Sequence, residues 1–141
     1  MPEIRPASEP DVAAICRFDE VATTDDGARR EFITQSVAAG HCHVLVADGQ
    51  IVAYGVLEYS FYTCGFIALL YVAAHARRRA YATMLLRHME ALCRTPKLFT
   101  STNLSNLPMQ ALLAQLGYAL SGVVHNLDER DPELIYFKRL R

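Results

Sequence analysis

One stretch restricts what this chain can become more than any other. Residues 71–91 read Tyr-Val-Ala-Ala-His-Ala-Arg-Arg-Arg-Ala-Tyr-Ala-Thr-Met-Leu-Leu-Arg-His-Met-Glu-Ala. An apolar run from Phe66 to Val72 stops here, three consecutive arginines follow, and apolar residues then recur at Tyr81, Met84, Leu85, Met89 and Leu92. That spacing is helical. The arginines therefore stand where a strand becomes a helix. A helix N-terminus presents unpaired backbone N–H groups and the positive end of the peptide dipoles. Small residues at Ala80 and Ala82 let an anion come close to that backbone, and Arg77, Arg78 and Arg79 add charge. Such an arrangement cradles a phosphate or pyrophosphate. The plainer reading is a solvated basic first turn.

The remaining composition narrows the class. A length of 141 residues, 52% of them hydrophobic, is that of one domain, residues 1–141, with a real core. Lys and Arg number 14 against 15 Asp and Glu, for a formal charge of −1. No nucleic-acid partner is expected from that balance, beyond the local basic spot of the arginines. Cys16, Cys42, Cys64 and Cys93 form no CxxC pair, and no secretory pattern opens the sequence. They are expected to be reduced thiols of a cytoplasmic protein. No run approaches the length of a membrane-spanning helix, so no membrane partner is expected.

Read in order, Glu3 to Arg5 is a short strand. Ser8 has the position of an N-cap, with Pro10 in the first turn and Asp11 as the capping carboxylate of a helix over 9–18. Val21 to Gly27 is polar and turn-like. A second helix covers Ala28 to Ala38, with Phe32, Ile33 and Val37 inward and Gly40 ending it. His43 to Ala47 and Gln50 to Tyr59 are strands joined by Asp48-Gly49, the residue pair that a two-residue hairpin favours. A turn near Thr63-Cys64-Gly65 leads into the strand Phe66 to Val72. After the arginine-bearing helix, Lys97 to Thr102 is the strand of a parallel crossover. Asn106 caps a helix that Gly117 ends, and Tyr118 to His125 and Leu134 to Arg139 are the closing strands. The pattern predicts an α/β fold: a mixed, mostly antiparallel sheet of six to seven strands with helices on both faces.

At this point the chain resembles the GCN5-related N-acetyltransferase (GNAT) family over nearly its full length. The family motif Gln/Arg-x-x-Gly-x-Gly/Ala is matched by Arg77-Arg78-Arg79-Ala80-Tyr81-Ala82, with Ala80 where the first glycine stands. An alanine serves there if its φ is negative. A second motif is matched by Asn106 with Gly117-Tyr118 beyond it. The resemblance implies acetyl-CoA as co-substrate, no metal, and a V-shaped gap between the strand ending at Val72 and the strand at Phe99 to Thr102. It implies that backbone groups of Leu70, Tyr71 and Val72 hold pantetheine, and that Arg77 to Thr83 hold the pyrophosphate (Arg78, Arg79, Ala80, Tyr81 and Ala82 between them). Asn106 is expected beside the pantetheine arm and adenosine; Asn103, at the end of its strand, is expected at pantetheine or a water in the gap. A deprotonated amine, from a small molecule or a protein, then attacks the thioester directly.

The catalytic side chains depart from that pattern. The position of the family's acid tyrosine is Leu113, and that of its strand glutamate is Phe66. A thiol of pKa near ~8.5 leaves tolerably unprotonated. An amine of pKa near ~10 needs a base, which contributes about 10²–10⁴-fold. Glu58, the only acid in its strand, is the best substitute base, with a solvent-facing carboxylate as the plainer reading, and Tyr118 is a candidate acid, with core packing as its plainer reading. Tyr62 and the acidic loop residues Asp128 and Glu129, with Asp131 and Glu133 beside them, are candidate acceptor contacts; a soluble turn broken by Pro132 is the plainer and favoured reading of the loop. His41-Cys42-His43 places two histidines on one strand face without further ligands, so no metal site is read there. Two functions compete: an acetyl-CoA-dependent N-acetyltransferase, and a non-catalytic acyl-CoA-binding module. Exposed edges of the closing strands suit a homodimer.

Overall fold

The computed structural model describes residues 1–141. Seven strands form one sheet in the order β1-β2-β3-β4-β5-β7-β6. They are β1 (Glu3–Pro6), β2 (Cys42–Ala47), β3 (Gln50–Phe61), β4 (Cys64–Val72), β5 (Lys97–Asn103), β6 (Ala119–Val124) and β7 (Glu133–Arg139). The helices are α1 (Asp11–Phe18), α2 (Glu20–Thr24), α3 (Ala28–Ala38), α4 (Tyr81–Leu92) and α5 (Leu107–Gln115). The pairs β1/β2, β2/β3, β5/β7 and β6/β7 are antiparallel, whereas β4 and β5 run parallel. The chain divides into two compact units, residues 1–57 with 69–91 and residues 58–68 with 92–141.

In the first unit, Asp48 (φ 52°) and Gly49 (φ 77°) make the expected tight turn between β2 and β3. Tyr54 and Gly55 are neighbours on β3 and so face opposite ways. The Tyr54 ring meets Phe18 of α1 at 6.2 Å. A Cβ on Gly55 would lie 2.9 Å from the Met89 methyl of α4, so glycine is what lets that helix sit close to the strand. Helices therefore cover both faces of this unit. Ile15, Ile33, Leu45, Leu85 and Met89 are fully buried there, each contributing about 1.5–3 kcal/mol of apolar burial.

Three local expectations are corrected in this unit. Val21 to Gly27 is not simply a turn, because α2 occupies Glu20–Thr24. The first helix begins at Asp11 rather than residue 9, and Asp11 reaches back to accept the Ser8 N–H at 2.8 Å. Phe32 points outward and is 38% exposed, while Ser36 takes an inward place on α3.

The second unit is a sheet covered on one face. Burial alternates along β5 and through Tyr136 of β7, with Leu98, Thr100, Thr102, Leu134 and Tyr136 buried. The opposite face carries a row of aromatic residues in register, Phe66 against Phe99 and Phe99 against Phe137. Phe61 joins them, with ring centroids 5.0 Å from both Phe66 and Phe99. The β3–β4 hairpin turns at Tyr62 (φ 51°) and Thr63 (φ 61°), one residue ahead of the glycine-containing triplet that the sequence suggested. Asn106 caps α5 by accepting the Met109 N–H at 3.2 Å, and Gly117 (φ 93°) ends it, both as expected.

Candidate functional site

The cradle lies in the first unit, where β4 gives way to α4. A short 3-10 turn (Ala74–Ala76) follows the strand, and Arg77 is extended. Arg78 and Ala80 then both adopt left-handed backbone, at φ 67° and 63°. The reading that Ala80 keeps a negative φ is thus corrected. The turn wants a glycine and holds an alanine, at a strain of about 1–2 kcal/mol. Left-handed residues interleaved before a helix turn successive amides toward one concavity. The first N–H taken up by the helix is that of Met84, bonded to the Ala80 carbonyl at 3.0 Å. The N–H groups of Tyr81, Ala82 and Thr83 precede it and point outward from the helix start. Three outward amides behind two left-handed residues fit a pyrophosphate.

The three arginines divide the work. The Arg77 Nε–H donates to the Val72 carbonyl at 3.0 Å, and its guanidinium lies 5.5 Å from the centroid of the Tyr71 ring. It clips the loop back onto β4. Arg5–Asp11, Arg29–Asp19 and Arg87–Glu90 are ion pairs, and none of them involves Arg78 or Arg79. Both are exposed and leave their charge at the mouth of the cradle. Leu70, Tyr71 and Val72 are half-buried at the end of β4, and the Val72 carbonyl is the one that holds Arg77.

Behind Tyr71 stands a cluster that the sequence reading missed. Asp19 is fully buried. One of its oxygens caps α2, accepting the N–H groups of Val21 (2.9 Å) and Ala22 (3.2 Å). The other accepts the Tyr54 hydroxyl and an Arg29 N–H at 2.8 Å. Burial pushes the Tyr54 hydroxyl far above its ordinary pKa, with the Asp19 carboxylate adding to the effect. The Tyr71 hydroxyl accepts the Glu20 N–H at 3.1 Å, which fixes the other side of the same helix start. Two signals point to this cluster: an aspartate immediately before Glu20, as at a helix start, and a tyrosine inside an apolar strand, whose hydroxyl must find a partner once buried.

The other sequence candidates lie in the second unit. Glu58 is half-buried on β3, and its carboxylate accepts the Ser60 N–H at 3.2 Å and the Ser60 hydroxyl. Tyr62 sits at the hairpin tip, 83% exposed. Tyr118 is buried, with the Lys138 ammonium 5.5 Å above its ring. Asn103 donates its amide to Asp128 at 2.8 Å, and Asp131 accepts from the backbone and hydroxyl of Ser105 at 3.0 and 2.6 Å. Two carboxylates of the acidic loop thus pin the turn between β5 and α5, while Glu129 is exposed. Leu113 is part of the core. Phe66, where a base would stand by resemblance, is stacked on Phe61 with an interplanar angle of 18°.

These features agree with what comparison finds. The model of the acetyltransferase (GNAT) family matches residues 9–118. A GNAT-family acetyltransferase structure from Bacillus cereus is 34% identical over 99% of this chain and 97% of that one, with a TM-score of 0.90. The ribosomal-protein-S18-alanine N-acetyltransferase of Escherichia coli, 17% identical, covers 99% and 94% of the two chains with a TM-score of 0.81. A Bacillus anthracis structure in complex with acetyl coenzyme A, 12% identical, covers 70% of this chain and 61% of that chain at a TM-score of 0.64. Among curated protein sequences none matches. No helix is long and apolar enough to cross a membrane. With the family model spanning most of its length, and a structure one-third identical superposing on nearly all of it, the chain belongs to the GNAT acetyltransferase family.

Proposed function

We propose that this protein transfers an acetyl group from the thioester of acetyl-CoA to a primary amine, by direct attack with both substrates bound. The observation that carries the reading is the cradle: outward amides at Tyr81, Ala82 and Thr83, set by left-handed Arg78 and Ala80 at the end of β4. Those amides hold the pyrophosphate, and Arg78 and Arg79 supply countercharge to it. Backbone groups of Leu70 and Tyr71 orient the pantetheine arm. When bound, acetyl-CoA supplies the activated acyl carbon. Glu58 takes the proton of the attacking amine, directly or through water. No acid comes from the position expected by resemblance, since Leu113 is core, so the thiolate leaves without one from there. Tyr62 and Glu129, exposed on the second unit, are offered as acceptor contacts. The acceptor is a small amine or a protein amino group; the Escherichia coli structure noted above, named for acetylating a ribosomal protein, supports the second class.

One observation favours a non-catalytic acyl-CoA-binding role instead. The two positions where base and acid are expected by resemblance, Phe66 and Leu113, are taken by apolar packing. Calorimetric titration with acetyl-CoA, followed by thiol release with a panel of amines, separates the readings. Micromolar binding with amine-dependent release is expected. Binding without release for any amine assigns the binding module, and no binding overturns both. Reversing Arg78 and Arg79 to Glu removes at least ~1 kcal/mol of attraction per charge, so affinity should drop by about tenfold or more with unchanged stability.

A further inference from the structure

The uncovered face of the second unit's sheet carries a carboxylate as well as its aromatic row. Two neighbours establish which way Glu58 points. The Tyr59 hydroxyl accepts the Arg94 N–H at 3.1 Å, and the Arg94 guanidinium lies 4.1 Å from the centroid of the Tyr59 ring. A Cβ on Gly65 would lie 2.4 Å from the Cys93 sulfur. Tyr59 and Gly65 thus both face the segment that follows α4, so Glu58 and Phe66, one residue from each, face the other way. Phe99 and Phe137 lie beside Phe66 in register, and Phe61 packs on both Phe66 and Phe99. All four rings are half-buried, with neighbouring centroids 5.0 to 5.8 Å apart. From Phe66 to Phe137 this floor crosses two strand spacings, about 10 Å.

We infer, resting on the acetyl-transfer reading in which Glu58 takes the proton of the amine, that this face receives the acceptor and that the acceptor is a primary amine carrying an aromatic ring. An amine that reaches Glu58 stands on the face that the four phenylalanines line. A flat body of one or two rings spans a floor of about 10 Å, and it gains ring-on-ring contact beyond the area it buries. The carboxylate complements the ammonium. Glu58 spends one lone pair of each oxygen on Ser60, and a second remains on each for the amine. The other end of the face selects against a second cation. Lys97 and Arg139 pair in register two residues along from Phe99 and Phe137, hence on the same face, and both are exposed. A polyamine laid across the rings would bring its further ammonium groups toward those two charges. Half-buried rings suit a small ligand, whereas a stable protein partner needs about 800 Å² of surface on each side.

Thiol release from acetyl-CoA with 2-phenylethylamine, propylamine and spermidine as acceptors tests the assignment. The kcat/KM for 2-phenylethylamine should exceed that for either other amine by about tenfold or more, chiefly through KM. Phe99→Leu, which keeps an apolar side chain on the strand, should cut that advantage by about threefold or more. A second readout needs no turnover: 2-phenylethylamine titrated into the full chain with excess desulfo-CoA should bind, and Phe99→Leu should weaken that binding by a similar factor. Equal kcat/KM for the three amines, or a preference that Phe99→Leu leaves intact, overturns the aromatic floor while acetyl transfer stands. Release with no amine, alongside 2-phenylethylamine binding that depends on Phe99, overturns acetyl transfer while the aromatic site stands. Neither release nor binding overturns both.

Discussion

Ala80→Gly should stabilise this protein, against the usual direction of alanine-to-glycine changes. Ala80 sits at φ 63°, where an L side chain is strained by about 1–2 kcal/mol. Glycine relieves that strain but adds about 0.4–1 kcal/mol of conformational entropy to the unfolded chain. The net gain is about 0.5 kcal/mol, within a range from roughly zero to 1.5. Ala82, two residues on and inside α4, is the internal control, and glycine there should cost about 1 kcal/mol. Thermal unfolding should then move up by about 2 °C for Ala80→Gly and down by about 4 °C for Ala82→Gly. Urea midpoints at constant m-value check that both changes are changes of stability. Acetyl-CoA should bind Ala80→Gly at least as tightly as wild type, because the glycine removes a methyl group from the rim of the cradle. Equal losses for the two variants would refute the left-handed assignment, and with it the account of how this turn aims its amides.

Three further outcomes are expected. Glu58→Gln should lower turnover by about 10²–10⁴-fold with acetyl-CoA affinity unchanged; equal rates across pH take Glu58 out of the mechanism. Gly65→Ala should destabilise by about 1–3 kcal/mol, since its Cβ would lie 2.4 Å from the Cys93 sulfur, and Cys93→Ala in the same chain should restore part of the loss in a chemical denaturation series. His43 and His88 meet edge to face at 5.3 Å, and burial lowers both pKa values below 6.5, with His88 lowering that of His43 further. The unfolded chain therefore takes up protons first as pH falls through 6.5, and stability should drop between about pH 7 and 5 before carboxylates titrate. His88→Gln should flatten that slope, and a slope unchanged by the variant counters the assignment.

Where local chemistry decides a structure, the residues announced it. Asp48-Gly49 made its hairpin, Asn106 and Gly117 bounded α5, and Ala28 to Ala38 is helical to the residue. The strand-to-helix switch at the arginines was equally legible, because its helix carries a clear apolar period. What was hidden depends on distant partners. Helix α2 has five residues and no apolar period; its N-cap, Asp19, is held by Tyr54, 35 residues away. The Tyr62-Thr63 turn uses neither glycine nor asparagine, although both of its residues are left-handed. Asn103 was expected at the cofactor, yet its amide is taken by Asp128, 25 residues on. Side-chain partnerships across such separations leave no periodic trace in a sequence.

The Arg77 clip has a kinetic consequence. With its Nε–H on the Val72 carbonyl and its guanidinium against Tyr71, the cradle loop is tied to β4 before any ligand arrives. On the proposed reading, capture of a phosphate should then order no segment of chain, so the entropy of loop closure should be absent from the encounter. Association should proceed in a single phase with rates that fall as salt screens Arg78 and Arg79. Cutting the clip with Arg77→Ala should introduce a slower, salt-independent phase as the loop reassembles around the bound anion.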